Sequence, residues 1–427
     1  MSEVDTPEIM GGTPTSLHTT ATPFNVATTV VLLLVLPPLV YYLWMCLAYN
    51  HGQLMLPSVD LLGRVPMPTA TAFAIVIGWV LFQALLQIYA PGKWVEGTPL
   101  RHGSRLKYKM NGWFAWWFTW AALALGAWLK LFSPTVLADQ FGPLLTAANI
   151  VTYLFALYLY WHGKALATAQ ERVTGNAIYD FWLGTALNPR IGNFDLKLFC
   201  EARPGLIGWV AIDLSLAAKQ YELHGLVTTP MILVCFFHFW YVADYYLHEE
   251  AILTTWDIKH ENFGFMLAWG DLVWVPFIYT IQAYYLVEHT HDLPWWGTVA
   301  IVALNFTGYA IFRGANIQKH RFRKNPAEPI WGRAPQYIRT RRGSLLLTSG
   351  WWGLSRHMNY FGDLLMGLAW CLPCLFGSPL PYFYIFYFTL LLVHRERRDH
   401  EMCAVRYGSD WETYCRKVPN RIIPGVY

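Results

Sequence analysis

Basic, acidic and aromatic side chains recur at helical spacing near the C-terminal end of this sequence. In the segment LLVHRERRDHEMCAVRYGSDWETYC, five of them fall on about one third of a helix surface: Arg395, Asp399, Cys403, Arg406 and Tyr407. The segment NIQKHRFRKNP places Lys319 and Arg323 four residues apart, on one helix face. Guanidinium groups bind phosphates, rings stack on bases, and Asp399 can accept a hydrogen bond from a ribose hydroxyl or a carboxamide. The spacing fits a nucleotide site, and it fits attraction to anionic lipid headgroups equally well.

A second set of ionisable groups falls inside the apolar segment LVTTPMILVCFFHFWYVADYYLHEE. The members that share one helix face, at the spacing i, i+3, i+7, i+10, i+11, are His238, Tyr241, Tyr245, His248 and Glu249. Asp244 lies among them, and Asp271 lies in the next apolar segment. Ionisable groups in a membrane helix are costly and usually face a cavity or a partner. The pattern predicts a buried polar cavity, and an internal hydrogen-bond network without a catalytic role is the alternative.

Several common reaction centres are not indicated by the sequence. No G-x-G-x-x-G segment follows a strand pattern and no Walker loop is present, so a dinucleotide would have to bind outside the usual fold. The 14 histidines include no adjacent pair and no repeated close box of the kind that a di-iron site needs. The segment EHTHD, residues 288–292, is predicted to be a solvated outer loop. No metal site and no nucleic-acid partner are predicted.

The composition is that of a membrane protein. Of the 427 residues, 55% are hydrophobic and 14% are charged, whereas soluble domains carry about 25% charged residues. Apolar runs of about 20 residues cross a bilayer, and we predict about ten of them. They lie at 24–48, 69–91, 112–133, 143–162, 204–221, 226–247, 265–287, 294–314, 345–372 and 379–394. The predicted fold is an all-α, polytopic membrane helix bundle over residues 24–427, after a disordered polar leader at 1–23.

Lysine and arginine residues orient the predicted bundle. The segment 101–109 holds four of them, the segment 163–203 holds five, and residues 319–421 hold 16 of the 31 in the chain. Because positively charged loops tend to stay in the cytoplasm, the N-terminus is predicted outside and the C-terminus in the cytoplasm. Both basic helix ends then face the cytoplasm, in the C-terminal half of the chain at about 204–427.

Three segments resemble the sterol C14/C7/C24(28) reductase family. GNAIYDFWLGTALNPR is similar to the first signature of that family, and LLVHRERRDHEMCAVRYGSDWETYCRKVPNRIIP is similar to the second. HEEAILTTWDI and GDLVWVPFIYTIQAYYL are similar to family sequence between the signatures. The resemblance extends from about residue 60 to the end. Within the family, the compact bacterial enzymes that act at C14 are the most similar.

This resemblance implies NADPH-dependent reduction of an isolated sterol double bond, with C14=C15 preferred. The resemblance also implies the residues that contact the cofactor, which are Lys319, Arg323, Leu347, Trp352, Asn359, Tyr360, Asp399, Cys403, Tyr407 and Tyr414. Arg395 and Arg406 join this set because they share the helix face of Asp399. The pocket that follows is built from cytoplasmic helix ends, with NADPH entering from the cytosol and the sterol entering sideways from lipid.

The proton for such a reaction must come from the protein. An unpolarised alkene accepts a hydride only after protonation, which requires an acid in a dry pocket. Tyr241 is the predicted donor, and Asp244 or Glu249 can resupply its proton. Asp399 is predicted to hold the cofactor and can take part in a proton relay.

Other functions stay open from the sequence. The alternatives are a C7 sterol reductase of the same fold, an isoprenylcysteine-type membrane methyltransferase, and a non-catalytic sterol-binding membrane protein. Intact Lys319, Arg323, Asp399 and Tyr407 argue against a decayed site. The predicted location is an integral membrane, the bacterial inner membrane or, in a eukaryote, the endoplasmic reticulum. The sequence indicates no oligomeric state.

Overall fold

Helices make up most of the chain. A computed structural model describes residues 20–99, 103–166 and 173–427, so the predicted leader lies outside it except for its last four residues. In chain order the helices are α1 (Pro23–Tyr49), α2 (Ala70–Tyr89), α3 (Gly112–Trp128), α4 (Val136–Asp139), α5 (Phe141–Ala165), α6 (Ala177–Leu183), α7 (Leu196–Ala202), α8 (Pro204–His224), α9 (Thr229–Leu247), α10 (Trp256–His260), α11 (Phe265–Trp269), α12 (Val275–Ile278), α13 (Ile281–Glu288), α14 (Trp295–Lys324), α15 (Trp351–Leu354), α16 (Met358–Cys371), α17 (Phe383–Tyr407) and α18 (Ser409–Lys417).

Three short antiparallel hairpins connect helices. They pair β1 (Lys93–Pro99) with β2 (Arg105–Met110), β3 (Arg190–Ile191) with β4 (Phe194–Asp195), and β5 (Tyr337–Arg339) with β6 (Leu345–Leu347). The all-α prediction is therefore correct for the bulk of the chain and misses these strands. Two of the hairpins lie in connections between the predicted spans, where apolar periodicity gives no signal.

Five helices in the described ranges are long and apolar enough to cross a bilayer: α1, α2, α5, α9 and α14. The predicted multi-pass architecture is thereby confirmed, while the count of ten spans stays a prediction. The start of α1 follows a local rule, because the Thr22 hydroxyl accepts the Asn25 backbone N–H at 3.2 Å and Pro23 occupies the first turn. Another long helix, α14, has a clear local stop, because it ends at Lys324, two residues before Pro326, a residue that cannot extend a helix.

Two predicted spans are interrupted. The span at 265–287 consists of α11, a π-helical turn at Gly270–Trp274, α12 and α13. The span predicted at 345–372 is wrong in its first half, which holds β6, α15 and a non-helical stretch before α16. Gly350 has a positive φ of 64°, and a Cβ at this position would collide with the Gln318 side-chain amide. The backbone therefore turns where apolar composition alone predicts a continuous helix.

The chain divides into two compact units. The larger unit comprises Thr22–Asn305 and Gly367–Phe386, and the smaller unit comprises Phe306–Met366 and Tyr387–Tyr427. In the larger unit, Trp116, Trp209 and Trp370 are fully enclosed. The core of the smaller unit lies along the second half of α14, where Ala315, Phe322, Leu347, Trp352 and Met358 pack together.

A buried arginine joins several elements of the larger unit. Arg203, at the start of α8, donates from Nε to Gln87 at 2.9 Å and from Nη2 to Asn111 at 2.6 Å and Glu249 at 2.8 Å. The second carboxylate oxygen of Glu249 accepts the backbone N–H of Gly112, the first residue of α3, at 2.8 Å. A charge in a medium of low dielectric constant is costly unless it is paired and hydrogen-bonded. This network therefore fixes α2, α3, α8 and the turn at 249–254 together.

Candidate functional site

The cationic end of α14 packs on an aromatic ring of the smaller unit. The Lys319 ammonium lies 3.7 Å from the centroid of the Trp352 indole. This indole is buried, and its N–H donates to the Ala315 carbonyl at 2.8 Å, which fixes the ring against α14. Leu347 of β6 belongs to the same apolar cluster. A cation held over a fixed ring is already placed before any ligand binds.

The facing side of α17 supplies a carboxylate and a thiol. Asp399 Oδ2 lies 3.5 Å from His357 Nε2 and 4.0 Å from the Cys403 sulfur, one helical turn further on. Burial raises the pKa of Asp399, and the positive charge of Lys319 opposes that rise. Burial and the Asp399 carboxylate together raise the pKa of the Cys403 thiol to about 12. The thiol is therefore neutral at physiological pH and contributes shape and weak hydrogen bonding.

The remaining rings come from α18 and the end of α17. Tyr414 is buried and stacks on Trp411, with ring centroids 5.0 Å apart. Tyr407 lies at the edge of this pair, with its ring 6.5 Å from that of Trp411. Ile338 of β5 and Leu346 of β6 pack against the same cluster, so the hairpin that the sequence missed supports these rings.

Electrostatic coupling shows which predicted residues come together. The charge of Lys319 interacts with Arg323, Asp399 and Cys403. The charge of Arg323 interacts with Asp399 and Tyr407. The cationic face of α14 and the acidic and aromatic face of α17 thus form one surface of the smaller unit, which we call the cation–ring surface. Its members are Lys319, Arg323, Leu347, Trp352, Asp399, Cys403, Tyr407 and Tyr414.

The other four predicted cofactor residues lie around this surface. Arg395 is placed by helix geometry alone, one turn before Asp399 on α17. Arg406 is exposed, with its guanidinium carbon 5.5 Å from the centroid of the Tyr407 ring. Tyr360 stacks on His357, the partner of Asp399, at a centroid distance of 4.8 Å. Asn359 has a buried side-chain oxygen with no hydrogen-bond partner among the described residues.

The surface fits a dinucleotide in its donor and acceptor set. The buried Asn359 oxygen lacks a donor, and a buried acceptor without a donor costs about 1–3 kcal/mol. A carboxamide N–H or a ribose hydroxyl would supply that donor. Lys319 and Arg323 offer positive charge for phosphates, and the partly exposed Tyr407 ring offers a face for a base.

Two residues of this region were missed by sequence reasoning. Arg356 is buried and contacts His400 Nδ1 at 3.1 Å and the Cys415 sulfur at 3.0 Å, which ties α17 to α18. His357 contacts Asp399 directly. The signal was the polar pair Arg356–His357 within an apolar stretch, and the incorrect assignment of that stretch to a membrane span concealed it.

The predicted proton donors lie in the larger unit. Tyr241 of α9 packs against Trp370 at a ring-centroid distance of 5.1 Å and against Trp209 at 6.3 Å. Asp244 Oδ1 lies 3.3 Å from His248 Nδ1. Glu249 has both oxygens engaged, by Arg203 and by Gly112, and the Arg203 charge opposes the rise in the pKa of Glu249 that burial causes. Of the three, Tyr241 has the aromatic surroundings expected of a dry pocket.

Metal binding finds no support in the described residues. No group of three or more His, Cys, Asp or Glu side chains there is arranged to hold an ion. In the segment at 288–292, Glu288 is exposed and contacts the exposed His51 at 2.9 Å, as in a solvated loop.

The long apolar helices are those of a multi-pass membrane protein, and the charges and rings of the cation–ring surface suit an anionic, ring-containing ligand. A model of the ergosterol biosynthesis ERG4/ERG24 family matches residues 19–427. The chain is 59% identical over 405 residues to the Delta(14)-sterol reductase of Methylotuvimicrobium alcaliphilum, across 93% of this chain and 94% of that protein. It is 47% identical over 417 residues to the Delta(14)-sterol reductase of Dictyostelium discoideum, across 93% and 90% of the two chains. A third relative, Delta(14)-sterol reductase erg24 of Schizosaccharomyces pombe, is 48% identical over 375 residues, across 85% and 87%.

The chain belongs to the ERG4/ERG24 family. The resemblance inferred from the two signature segments is therefore confirmed, and with it the prediction of a sterol reductase, an oxidoreductase.

Alkylation of Cys403 tests the electrostatics of the cation–ring surface. With a thiol pKa of about 12, the thiolate fraction at pH 8 is on the order of 10³-fold below that of an ordinary cysteine. We expect correspondingly slow reaction with iodoacetamide in a Cys415→Ser background, followed by mass spectrometry. Asp399→Asn removes an anion that raises this pKa, so alkylation should accelerate. Rapid labelling of Cys403 at pH 8 in protein that retains Asp399 would contradict the raised pKa of this thiol.

Proposed function

We propose that this chain is an NADPH-dependent reductase of the sterol C14=C15 double bond that acts in sterol biosynthesis. The relatives that cover more than nine tenths of this chain carry the name Delta(14)-sterol reductase. The observation that carries the cofactor part of the proposal is the Lys319 ammonium, held 3.7 Å from the centroid of the buried Trp352 ring. Lys319 also interacts electrostatically with Arg323 and Asp399, so charge, ring and acceptor are assembled together.

The chain's own residues account for binding of a phosphorylated dinucleotide. Lys319 and Arg323 face the phosphates, and the exposed Arg406 adds a guanidinium at the rim, where an extra 2′-phosphate can reach it. The Asn359 oxygen and the Asp399 carboxylate accept hydrogen bonds from carboxamide or ribose donors. Asp399 can also take part in a proton relay. NADPH, when bound, supplies a hydride.

Proton delivery is assigned to the larger unit. In the proposed reaction, the Tyr241 hydroxyl donates its proton to C15 of the alkene, which leaves a tertiary carbocation at C14. The fully enclosed Trp209 and Trp370 rings pack against Tyr241, fix its ring and keep its surroundings apolar. A neutral phenol costs less to bury than a carboxylate does, which favours Tyr241 over Asp244 or Glu249 as the direct donor.

Membrane orientation follows from the same proposal. The basic end of α14 and the basic part of α17 lie on the cytoplasmic side, and the N-terminus lies outside. NADPH then reaches the site from the cytosol, while the sterol enters sideways from lipid. In a bacterium the membrane is the inner membrane, and in a eukaryote it is the endoplasmic reticulum.

The substrate assignment is tested by NADPH consumption in detergent with two sterols. We expect the purified protein to oxidise NADPH with a C14-unsaturated sterol and to leave a C7-unsaturated sterol unreduced, because the protonated carbon must lie at a fixed position in the pocket. Product analysis by mass spectrometry locates the reduced bond. Preferential reduction at C7 would replace the C14 assignment, and no reduction of either sterol would contradict the proposed function.

Cofactor binding is tested by Arg323→Ala. We expect the dissociation constant for NADPH to rise roughly ten- to a hundred-fold, as for loss of a charge-assisted contact worth about 1.5–3 kcal/mol. Sterol binding should be unchanged. Arg321→Ala is the matched control, since Arg321 is exposed and contacts Glu328 at 3.7 Å. Equal NADPH affinity in the two variants would remove Arg323 from the site.

Proton donation is tested by Tyr241→Phe, which keeps the ring and removes the hydroxyl. We expect kcat to fall on the order of 10²-fold or more, with little change in binding of sterol or NADPH. Tyr221→Phe is the control, because Tyr221 is 61% exposed on the surface of α8. A Tyr241→Phe variant with normal kcat would move the donor to Asp244, Glu249 or Asp271.

A further inference from the structure

A second ionisable pair lies inside the larger unit and was not found from sequence. Asp213 of α8 and His238 of α9 are both fully buried, and Asp213 Oδ2 lies 2.8 Å from His238 Nδ1. The Trp209 indole N–H lies 3.2 Å from the same ring nitrogen. An imidazole nitrogen has one in-plane position for a hydrogen or a lone pair. The carboxylate makes the shorter of the two contacts and occupies this position. Nδ1–H of His238 therefore donates to Asp213.

The other ring nitrogen of His238, Nε2, is not used in the contact with Asp213. His238 Nε2 and Asp213 Oδ1 are buried without a hydrogen-bond partner among the residues that the structure describes. Two such atoms in one pair are costly, and they leave Nε2 available for a proton or a ligand. With Asp213 ionised, the ring can carry a proton on Nε2, and the Asp213 charge balances the imidazolium.

Aromatic rings connect this pair to Tyr241. The Trp209 ring lies 4.6 Å from His238 and 6.3 Å from Tyr241, between ring centroids. The Trp370 ring lies 4.9 Å from His238 and 5.1 Å from Tyr241. His238 and Tyr241 are three residues apart on α9 and share one helix face. The pair and the proposed proton donor therefore line the same aromatic wall.

We propose that the Asp213–His238 pair stores the proton that Tyr241 delivers to the sterol. This inference rests on the proposed function. A phenol with a pKa near 10 is a weak acid toward an alkene, and proton loss would leave a phenolate in an apolar site. As the Tyr241 O–H bond breaks and a C–H bond forms at C15, the His238 Nε2–H proton passes to the phenolic oxygen through a bridging water, because Nε2 has no hydrogen-bond partner among the described residues. The imidazole becomes neutral, Asp213 stays ionised, and one proton from water restores the pair in each cycle.

Asp213 is the charged group beside His238, because the other titratable groups packed around the pair are thiols and phenols. Cys235 donates its thiol to the Asp213 backbone carbonyl at 3.6 Å. The Tyr279 ring lies 5.1 Å from Trp209, and the Tyr384 ring lies 5.3 Å from Trp370. Thiols and phenols are neutral near pH 7, as is Tyr241. The pH dependence of the proton transfer should therefore follow the pair.

The first test is His238→Gln in the full-length protein. Glutamine keeps a polar side chain of similar length but cannot carry the transferred proton. We expect kcat for a C14-unsaturated sterol to fall on the order of 10²-fold while the dissociation constants for NADPH and sterol stay within about twofold. Because both residues act in one step, adding Tyr241→Phe should lower kcat no further than the worse single variant. A His238→Gln enzyme within about threefold of wild-type kcat would overturn the inference.

The second test uses the pH profile of Asp213→Asn. Loss of the anion destabilises the imidazolium, so the limb on which kcat falls with rising pH should move to lower pH. Asn149→Ser is the matched control: it weakens a buried contact at 2.8 Å between Asn149 and Trp269 and should leave the profile in place. If the pH profile of Asp213→Asn shows no shift of this limb relative to the wild type, the pair has only a structural role. Sterol-dependent NADPH oxidation by the wild-type enzyme is measured first, so failure of the proposed function is seen separately.

Discussion

The cost of placing charge in an apolar interior governs where ionisable side chains lie in this protein. Arg203 is stabilised by three polar partners, Gln87, Asn111 and Glu249, and these contacts join α2, α3 and α8. Lys319 meets it by lying over the Trp352 ring. Asp213 and His238 are paired with each other, and each keeps one atom without a hydrogen-bond partner among the described residues. These two atoms and the buried Asn359 oxygen are places where a ligand or a proton can act.

The two units assemble different ionisable groups, and each set suits a different part of the proposed reaction. The smaller unit has an excess of positive charge beside fixed rings and the half-buried Asp399 carboxylate, which suits an anionic dinucleotide. The larger unit has phenol, imidazole and carboxylate groups within an aromatic wall, which suits protonation of an apolar substrate. The fold meets both needs with helix termini and with side chains at i, i+3 and i+4.

Sequence periodicity could predict those parts of the site that lie along one helix. Lys319 with Arg323, and Asp399 with Cys403 and Tyr407, are each related by about one turn, so amphipathic spacing identifies them. Asp213 could not be found in this way, because its partner His238 lies 25 residues away on another helix and only packing brings them together. Arg356 and His357 were lost for a different reason: backbone turns at Gly350 and before α16 interrupt an apolar stretch that composition alone assigns to one span.

Binding of dinucleotide phosphates by the cation–ring surface is tested by equilibrium binding of NADPH and NADH to the purified protein. We expect saturable NADPH binding that weakens as salt is raised, because the contacts are charge-assisted. We expect NADH, which lacks the 2′-phosphate, to bind at least about tenfold more weakly. Equal affinity for the two nucleotides, or absence of NADPH binding by folded protein, would contradict it.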